Sequence, residues 1–574
     1  MSTQLPILIV GAGPVGLVSA VSLLKSGVPV RIIEKRETFH GGIRGTALQP
    51  RTLEALSFIG VARDVLDIST PPLDLKMYEA DGRTAKITPW SHGPGTSQHF
   101  PFPEARTVSQ AEFEALLRKH LAALGAHVET GKELAALDQS GDSVQVRILD
   151  VATGREEAAA FAFVVGADGA KGRIRKTIGI PFLGETREDE RILSGNAYVT
   201  GLDKENWHMW GNLRKAGFGL KPMKTSNLFQ LQTLGQELTG ELPTDLEGVR
   251  KLFLSISHRE DIVIEKVEWV SEWRANIRMC QKFSEKNVFL TGDAAHCHSP
   301  FGGQGMNSGI QDAINLSWKL AAVYHGHASR QLLETYSEER VPVIAEMLNL
   351  SSKIHNLAFG KPTKSALNGA IGGESAAEEK EITNEEVMRR PKALLQLGVN
   401  YRWSPIVLET RADASTESKH DPYGEETAKL RAGDRAPDAP VTVLAPAAPP
   451  QDSTLHTLLD MQRHVVMVFA SSLAPLAQLP EELERLRGVV DAGIAKVAVV
   501  LPQGADASAA GSAGTQVQLL VDRDADARRV YDLDAADTGL TYVVVRPDGV
   551  VGAFAADASG ARRYFEVLQA GGRR

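Results

Sequence analysis

The sequence predicts a protein of mixed α/β and α+β class with more than one domain, and three observations predict it. At 574 residues the chain is too long for one ordinary hydrophobic core, so two or three domains are expected. A short apolar run, a glycine-rich turn and a helical pattern follow one another in "ILIVGAGPVGLVSAVSLLK" and again in two later stretches, which is typical of a parallel sheet covered by helices. Residues 181–284 instead alternate and are rich in aromatic and β-branched side chains, which indicates an inserted mixed sheet.

Composition narrows the class of protein before any motif is considered. Hydrophobic residues make up 43% and charged residues 23% of the chain, which is ordinary for a globular protein. The formal charge of −8 argues against nucleic acid as the main partner. No signal peptide and no membrane-spanning segment are expected, since no long apolar run occurs. Cys280 and Cys297 are the only cysteines, so we expect a reducing, cytoplasmic location.

The first glycine-rich turn has the pattern of a dinucleotide-binding site. Gly11, Gly13 and Gly16 form G-x-G-x-x-G between a predicted strand and a predicted helix. Such glycines allow the tight turn, the approach of a pyrophosphate to the backbone and the close packing of helix on strand. Glu34, at the end of the second strand, is placed to accept hydrogen bonds from a ribose hydroxyl. This disfavours NADP in this pocket and leaves NAD and FAD both open.

Three later stretches add to this pattern. Arg44, in "GGIRGTALQPRTLEAL", is suited to bind a phosphate through two hydrogen bonds, although an arginine in a surface loop is the plainer interpretation. Asp168, in "FVVGADGAKGRIRK", follows an apolar strand, at the sheet edge where doubly wound folds bind ligands. Gly292 and Asp293 also follow a strand, and further glycines precede a long helix in "FGGQGMNSGIQDA".

A metal site is an alternative interpretation of residues 292–313, because His296, Cys297 and His298 are close to Asp293 in the sequence. Two histidines separated by one residue do not share a helical face. A catalytic zinc site needs three protein ligands and an ordered second shell. We therefore expect no metal and interpret Cys297 as a small buried residue.

Together these stretches resemble the single-component FAD-dependent aromatic hydroxylases, the family of para-hydroxybenzoate hydroxylase and phenol hydroxylase. The matching motifs are GAGPVG at 11–16, the Arg44 loop, GADG at 166–169, GDAAH…P…GGQGMN at 292–307 and LLETYSEERVPV at 332–343. They span residues 5 to about 345. The stretch "FSEKNVFLTGDAAHCHSPFGGQGMN" is most similar to the phenol hydroxylase branch.

The resemblance implies a tight, non-covalent FAD. It places Asp293 on the ribityl chain, Glu34 on the adenosine ribose and the loop 300–307 beside the isoalloxazine ring. The residues expected to bind FAD are Gly11, Gly13, Pro14, Gly16, Glu34, Lys35, Arg44, Gln110, Asp168, Gly292, Asp293, Pro300, Gly303, Gly305, Met306 and Asn307. No second dinucleotide motif occurs in the sequence, so NADPH or NADH is expected to bind transiently, with O2 as the other co-substrate.

The inserted sheet is expected to cover the flavin and to present a mainly apolar cavity to a planar substrate. The candidate catalytic residues are Arg278, His208 and Tyr198, and further candidates for the cavity wall are Trp207, Trp210 and Gln230. Arg278 matches an active-site arginine of phenol hydroxylase-like enzymes. Thr46 and Cys280 stand where that branch often has an aspartate base and a tyrosine. Deprotonation of a substrate would then need another group, such as His208, or a substrate that is already acidic.

The predicted domains follow from these assignments. A Rossmann-type FAD-binding domain comprises 1–77, 105–180 and 285–350, the mixed-sheet substrate domain comprises 78–104 and 181–284, a helical connector comprises 351–425, and the C-terminal domain comprises 426–574. The order of strands and helices in the C-terminal domain, with a hairpin turn at 547–549, resembles the thioredoxin-like domain of phenol hydroxylases. Since it contains no cysteine, thiol–disulfide chemistry is excluded, and a structural role or a contact in a homodimer is expected.

These expectations define an NAD(P)H-dependent flavin monooxygenase that hydroxylates a phenolic ring through a flavin hydroperoxide. Its expected partner is a small aromatic substrate, with no nucleic acid and no membrane. Three alternatives stay open: a flavin-dependent oxidase or dehydrogenase on the same fold, a flavoprotein whose FAD is structural, and a monooxygenase of a larger polycyclic metabolite.

Overall fold

The structure is a computed structural model that describes most of the chain. The described ranges are 4–39, 41–42, 45–90, 99–225, 227–238, 240–299, 301–359, 383–411, 421–424, 429–445, 448–505, 517–533 and 539–571. Within these ranges no helix is both long enough and apolar enough to cross a membrane.

Strands and helices alternate along the first 359 residues. The strands are β1 (Ile7–Val10), β2 (Val30–Glu34), β3 (Ala47–Leu48), β4 (Asp74–Tyr78), β5 (Ala85–Thr88), β6 (Arg106–Thr107), β7 (Val128–Thr130), β8 (Lys132–Asp138), β9 (Val144–Asp150), β10 (Glu156–Phe161), β11 (Phe163–Gly166), β12 (Leu183–Thr200), β13 (Asn206–Asn212), β14 (Ala216–Pro222), β15 (Leu228–Leu234), β16 (Val263–Met279), β17 (Ser284–Glu285), β18 (Val288–Leu290) and β19 (His296–Cys297). The helices are α1 (Pro14–Lys25), α2 (Pro50–Phe58), α3 (Ala62–Ile68), α4 (Gln110–Ala123), α5 (Ile174–Thr177), α6 (Leu246–Ser257), α7 (Gly305–Tyr324) and α8 (Glu334–Phe359).

The remaining elements belong to the C-terminal third. The strands there are β20 (Leu408–Glu409), β21 (Pro440–Ala445), β22 (Ala448–Thr454), β23 (His464–Ala470), β24 (Ala495–Leu501), β25 (Val517–Asp522), β26 (Leu540–Val545) and β27 (Val551–Ala555). The helices are α9 (Asn384–Met388), α10 (Leu479–Asp491), α11 (Asp526–Val530) and α12 (Ala558–Ala570).

The N-terminal sheet has the order β17-β18-β11-β1-β2-β7, and all its pairs except β17–β18 are parallel. The apolar runs of β1 and β11 are buried along their whole length, because helices such as α1 and α7 cover the sheet. Strand β1 lies between β2 and β11. The chain therefore adds β2 on one side of β1 and later adds β11 on the other side. This position is the switch point at which doubly wound sheets bind ligands, and the predicted Rossmann-type fold is confirmed.

The second large sheet has the order β19-β16-β12-β15-β14-β13-β4-β5. One face packs on α6 through Trp210, Phe218 and Phe253. The other face contributes Trp207 and joins a cluster with Phe301, the residue before the glycine-rich turn of 302–303. The predicted mixed-sheet insertion is therefore observed. It also contains β4 and β19, which lie in segments that the predicted boundaries assign to the FAD-binding domain.

The C-terminal sheet has the order β20-β27-β26-β23-β24-β25-β21-β22. Its centre is a parallel pair, β23 and β24, connected through α10 and followed by the antiparallel hairpin β26–β27 and by α12. The predicted hairpin turn is confirmed, since Gly549 has a φ of 70° and its N–H bonds the carbonyl of Arg546 at 2.9 Å. The thioredoxin-like assignment itself stays a prediction.

The predicted helical connector is mostly irregular where the structure describes it. Between the end of α8 and residue 425, the helical segments among the described residues are α9 and a short turn at Lys392–Leu395. Residues 397–407 fold back onto α8 instead: Tyr401 accepts a hydrogen bond from Arg340 at 3.0 Å, and the indole of Trp403 donates to the carbonyl of Glu338 at 2.9 Å. Side-chain bonds to a neighbouring helix thus replace regular backbone pairing, which helical propensity does not reveal.

Candidate functional site

Three glycine-bearing turns meet at the carboxyl edge of the N-terminal sheet. They follow β1, β11 and β18, which are adjacent strands. Backbone hydrogen bonds hold the turns together, from Ala167 to Val10 at 2.8 Å and from Thr291 to Gly166 at 3.0 Å. Stretches more than a hundred residues apart in the sequence therefore form one continuous wall.

The glycines of the first turn have different reasons to be glycine. Gly11 has a φ of 104°, and a Cβ there would lie 2.3 Å from the carbonyl oxygen of Ala167. A Cβ on Gly16 would lie 2.0 Å from the oxygen of Gly11, so this position needs glycine for packing. A Cβ on Gly13 would meet no protein atom within 4 Å. The space beside Gly13 is thus open to a ligand, as a pyrophosphate cradle requires.

These turns border a cavity of about 420 Å³. Among the predicted cofactor residues, the cavity is lined by Gly11, Gly13, Pro14, Glu34, Lys35, Gln110, Asp168, Asp293, Gly305 and Met306. Gly16 and Gly292 pack behind the wall, since a Cβ on Gly292 would lie 2.9 Å from Val15. Arg44 and Pro300 lie outside the described residues.

The acidic residues of the cavity differ in what they bind. Glu34 accepts the N–H of Ala12 at 3.0 Å, which fixes its carboxylate at the end of β2. Asp168 accepts the N–H of Ile174 at 3.0 Å and so holds the start of α5, while its other oxygen is buried with no partner in the described structure. Burial raises the pKa of Asp168. The carboxylate of Asp293 is exposed in the cavity, as a group that binds ligand hydroxyls should be.

Hydrogen bonds of Asn307 hold the loop that leads into α7. Asn307 accepts the N–H of Gln49 at 2.8 Å and donates to the carbonyls of Ala47 and Gly303, at 2.9 Å and 2.6 Å. Gly303 has a φ of 62°, a conformation that favours glycine. Predicted residues Gly303 and Asn307 therefore shape the loop, and the N-terminus of α7 opens on the cavity with Gly305.

Gln110 lies on the opposite side of the cavity, at the start of α4. Its amide donates to Glu114 at 2.8 Å, and burial raises the pKa of Glu114. A Cβ on Gly45 would lie 3.8 Å from both Gln110 and Met306. The Gly45 segment, α4 and α7 therefore converge here, where the resemblance expects the flavin.

His296, Cys297 and His298 do not converge on one point. His296 lies 2.6 Å from Asp312, which also pairs with Arg340 at 2.7 Å. His298 bonds the carbonyl of Ser299 and packs beneath Gly305. Cys297 is buried, and burial raises the pKa of its thiol well above the ordinary value. In the described ranges no three metal-ligating side chains come together.

The candidate substrate residues lie on different faces of the second sheet. His208 and Trp210 face α6. The ring of His208 is 2.9 Å from the Tyr78 hydroxyl and 3.0 Å from the carbonyl of Asp203, and burial lowers its pKa. The sheet separates His208 from Phe301, so we do not retain it as a substrate base. The alternating pleat makes this distinction, and the sequence does not show which face is which.

The opposite face holds the other candidates. Gln230 accepts the hydroxyl of Thr46 at 3.2 Å, which ties this face to the segment after β2. Tyr198 lies farther along the face, with the ammonium of Lys266 5.6 Å from its ring centre. Arg278 is half-buried at the end of β16, paired with Cys297 of β19 and 2.9 Å from the amide oxygen of Asn276. Arg278 is therefore next to the Asp293 turn, and not beside Trp207 or Trp210.

Sequence reasoning missed two residues of this face, Asn196 and Lys221, and two residues near it, Trp90 and Arg390. Lys221 is 3% exposed and Asn196 is 1% exposed. The available signal was a lysine in the apolar strand "AGFGLKP", at the alternating position shared with glycine. Trp90, Arg390, Gly302 and Gln49 line a small cavity of about 30 Å³ beside the glycine loop, and the ring of Trp90 packs edge-on against Trp207 of the sheet.

The fold and the cavity define a flavoprotein with one dinucleotide site and a buried sheet face above it. Comparison with known proteins agrees. Residues 4–351 match the family described as "FAD binding domain". A flavin-dependent monooxygenase of Mycobacteroides abscessus is 33% identical over 446 residues, which cover 75% of this chain and 83% of the relative. The chain therefore belongs to this FAD-binding family, and it is an FAD-dependent aromatic monooxygenase.

Two further matches extend over nearly the whole chain. Pentachlorophenol 4-monooxygenase of Sphingobium chlorophenolicum is 29% identical, over 89% of this chain and 88% of the relative. The crystal structure of the flavin-dependent monooxygenase PieE in complex with FAD and substrate superimposes with a TM-score of 0.77 at 21% identity, covering 100% of this chain and 99% of PieE. The match to PieE confirms the overall fold.

Proposed function

We propose that the protein uses NAD(P)H and O2 to hydroxylate a phenolic ring. FAD, once reduced by the nicotinamide nucleotide, supplies the activated oxygen when it is bound. The observation that carries the proposal is the buried sheet face of Trp207 and Gln230, which lies over the Thr46 segment and the glycine loop. The full-length similarity to a pentachlorophenol monooxygenase supports a phenol as the substrate class.

The protein residues have separate tasks in this proposal. Gly13 and the start of α1 bind the pyrophosphate, Glu34 binds the adenosine ribose and Asp293 binds the ribityl hydroxyls. The packed face around Trp207 and Phe301 excludes water from the reacting ring, which limits loss of activated oxygen as H2O2. Arg278 and Tyr198 remain proposed contacts on the substrate side.

The test is oxygen transfer by the purified holoenzyme. NADH and NADPH oxidation is followed with a panel of simple and polycyclic phenols under 18O2. We expect one label atom in the product and nucleotide oxidation in step with product. Nucleotide oxidation that yields only H2O2 with every phenol would favour an oxidase. Flavin that no nucleotide reduces would favour a structural role for FAD.

Arg278 offers a sharper test of the substrate side. Arg278→Ala is expected to retain FAD, because Arg278 binds Asn276 rather than lining the cofactor cavity, yet to lose coupled hydroxylation. The measurement is product formed per nucleotide oxidised, with Lys251→Met on the exposed side of α6 as a charge-matched control. Unchanged coupling would remove Arg278 from the site.

Location and assembly complete the proposal. We infer a cytoplasmic protein, because both cysteines are buried and unpaired, and a homodimer, which light scattering of the purified holoenzyme tests directly.

A further inference from the structure

Three polar side chains form a row across the buried face of the second sheet. Lys221 of β14 is directly opposite Gln230 of β15, which in turn is directly opposite Asn196 of β12. Directly opposite residues on neighbouring strands share a face. All three are at most 4% exposed. A buried row of this kind is costly unless every group has a hydrogen-bond partner.

Some polar groups of this row and beside it have no hydrogen-bond partner among the described residues. Gln230 binds Thr46 at 3.2 Å, and the amide nitrogen of Asn196 donates to Glu268 at 2.8 Å. The amide oxygen of Asn196 and the indole nitrogen of nearby Trp90 are buried without partners in the described structure. Lys221 makes no ion pair within the described ranges; its ammonium lies 5.1 Å and 5.4 Å from the ring centres of Trp207 and Trp90.

A second cation lies beside the same indole. Arg390 and Trp90 line the small cavity next to Gly302. The guanidinium donates to the carbonyls of Val387 and Arg389, at 2.9 Å and 3.2 Å, and pairs with no carboxylate among the described residues. The two tryptophans partly compensate the charge of Lys221 through their ring faces. The carboxylate of Glu268 is bound to Asn196, and among the described residues no carboxylate pairs with Lys221 or Arg390.

From this geometry we propose that Lys221 is a positioning residue that binds the substrate as an oxygen anion, a phenolate or an enolate of similar acidity, with Arg390 as the second cation. The inference rests on the proposed function and names its substrate class. The proton of the substrate hydroxyl is lost to solvent before or during binding, so no proton transfer to Lys221 is involved. Ionisation raises the electron density of the ring that accepts oxygen. A substrate that binds as an anion needs no base at Thr46, where the resemblance to the phenol hydroxylase branch implies an aspartate.

The ionisation behaviour of Lys221 agrees with this role. Burial lowers the pKa of its ammonium to about 8, because the charged form has lost water without gaining a carboxylate. An anionic oxygen beside the ammonium would raise this pKa again. Lys319, which is also buried, has Glu339 at 2.7 Å, whereas Lys221 pairs with no carboxylate among the described residues.

The test measures binding in the absence of NAD(P)H, with the wild-type holoenzyme. The probes are 4-nitrophenol and alizarin, whose visible spectra report ionisation, each paired with its methyl ether, at a pH below the pKa of the free phenol. We expect the bound phenol to show its anion band and to bind more tightly than its ether. Equal or weaker binding of both phenols, or bound spectra of neutral phenol, would overturn the inference.

Variants then assign the effect to Lys221. In Lys221→Met we expect the phenol Kd to rise about tenfold or more, which corresponds to about 1.4 kcal/mol, while the Kd of the ether stays the same. Lys221→Arg should recover part of the affinity and of the anion band, and Lys251→Met should behave as the wild type. Unchanged phenol binding by Lys221→Met with normal FAD content contradicts the role.

The two proposals fail in different ways. Phenolate binding that depends on Lys221, without 18O incorporation, would refute hydroxylation and leave the anion site in place. Coupled hydroxylation with phenol and ether bound alike would refute the anion site alone. If Lys221→Met loses its FAD or its fold, the wild-type comparison of phenol with ether and the Lys221→Arg variant still decide the matter.

Discussion

The cofactor cavity and the junction between α7, α8 and the C-terminal domain both contain charged residues. They differ in whether those residues have hydrogen-bond partners within the protein. In the cavity, Asp293 is exposed and one oxygen of Asp168 has no partner among the described residues. At the junction, Glu339 is fully buried and accepts bonds from Arg546 at 2.8 Å and from Lys319 at 2.7 Å. Unused polar capacity therefore marks a place for a ligand, and complete pairing marks a structural contact.

The junction network joins distant parts of the chain. Asp548, in the turn of the C-terminal hairpin, accepts the indole N–H of Trp318 at 3.1 Å, and its carbonyl accepts Arg51 at 2.9 Å. Burial alone would raise the pKa of Glu339, but Arg546 and Lys319 together hold it below the ordinary value. The C-terminal domain is thus tied to the helices that carry the flavin loop, without any cysteine chemistry.

The largest expected effect comes from breaking this network. Glu339→Ala removes the carboxylate shared by two buried cations: among the described residues, Arg546 keeps only Asp548, and Lys319 keeps only the amide oxygen of Asn315. We expect a loss of about 3–5 kcal/mol in the free energy of unfolding. Urea unfolding of the FAD-loaded protein measures it. Glu338→Ala, at the exposed neighbouring position, should change stability by less than about 0.5 kcal/mol. Similar curves for the two variants would show that the junction is not structural.

A substitution in the cofactor cavity should weaken FAD binding and leave the stability of the protein nearly unchanged. Asp293→Ala removes an exposed carboxylate, so we expect the stability of the FAD-free protein to change by less than about 0.5 kcal/mol. FAD affinity should fall by roughly 10- to 100-fold, since a hydrogen bond to a charged group contributes about 1.5–3 kcal/mol. Flavin absorbance per protein after purification and a fluorescence titration with FAD give both quantities. Full flavin occupancy would remove Asp293 from the proposed contacts.

The same contrast explains what the sequence could predict. Glycine spacing and apolar runs are local, so the turns at Gly11, Asp168 and Gly292 and the parallel sheet behind them could be predicted. The face on which a strand residue lies is not a local property, because a shift of one residue in register exchanges the core side and the ligand side. For this reason the sequence could not show that His208 lies on the face that packs on α6. Lys221 became visible only when β12, β14 and β15 were placed side by side. The junction network joins residues more than two hundred positions apart, and no sequence motif predicts it.

The smallest expected effect is on the pH dependence of the free energy of unfolding. It tests the part of the junction that the C-terminal residue His464 contributes. His464 is 4% exposed, packs edge-on against Trp318 and has a pKa that burial lowers to about 3. The unfolded chain binds a proton near pH 6.5 that the folded chain rejects, so His464 contributes stability above pH 6.5 that is lost as the pH falls toward 3. His464→Gln should therefore reduce the pH dependence of unfolding between pH 6.5 and 5.5 by about 1 kcal/mol per pH unit, as measured by urea titrations at each pH. An identical slope in the variant and the wild type would mean that His464 is protonated in the folded protein, and the junction would then hold one more positive charge than its carboxylates balance.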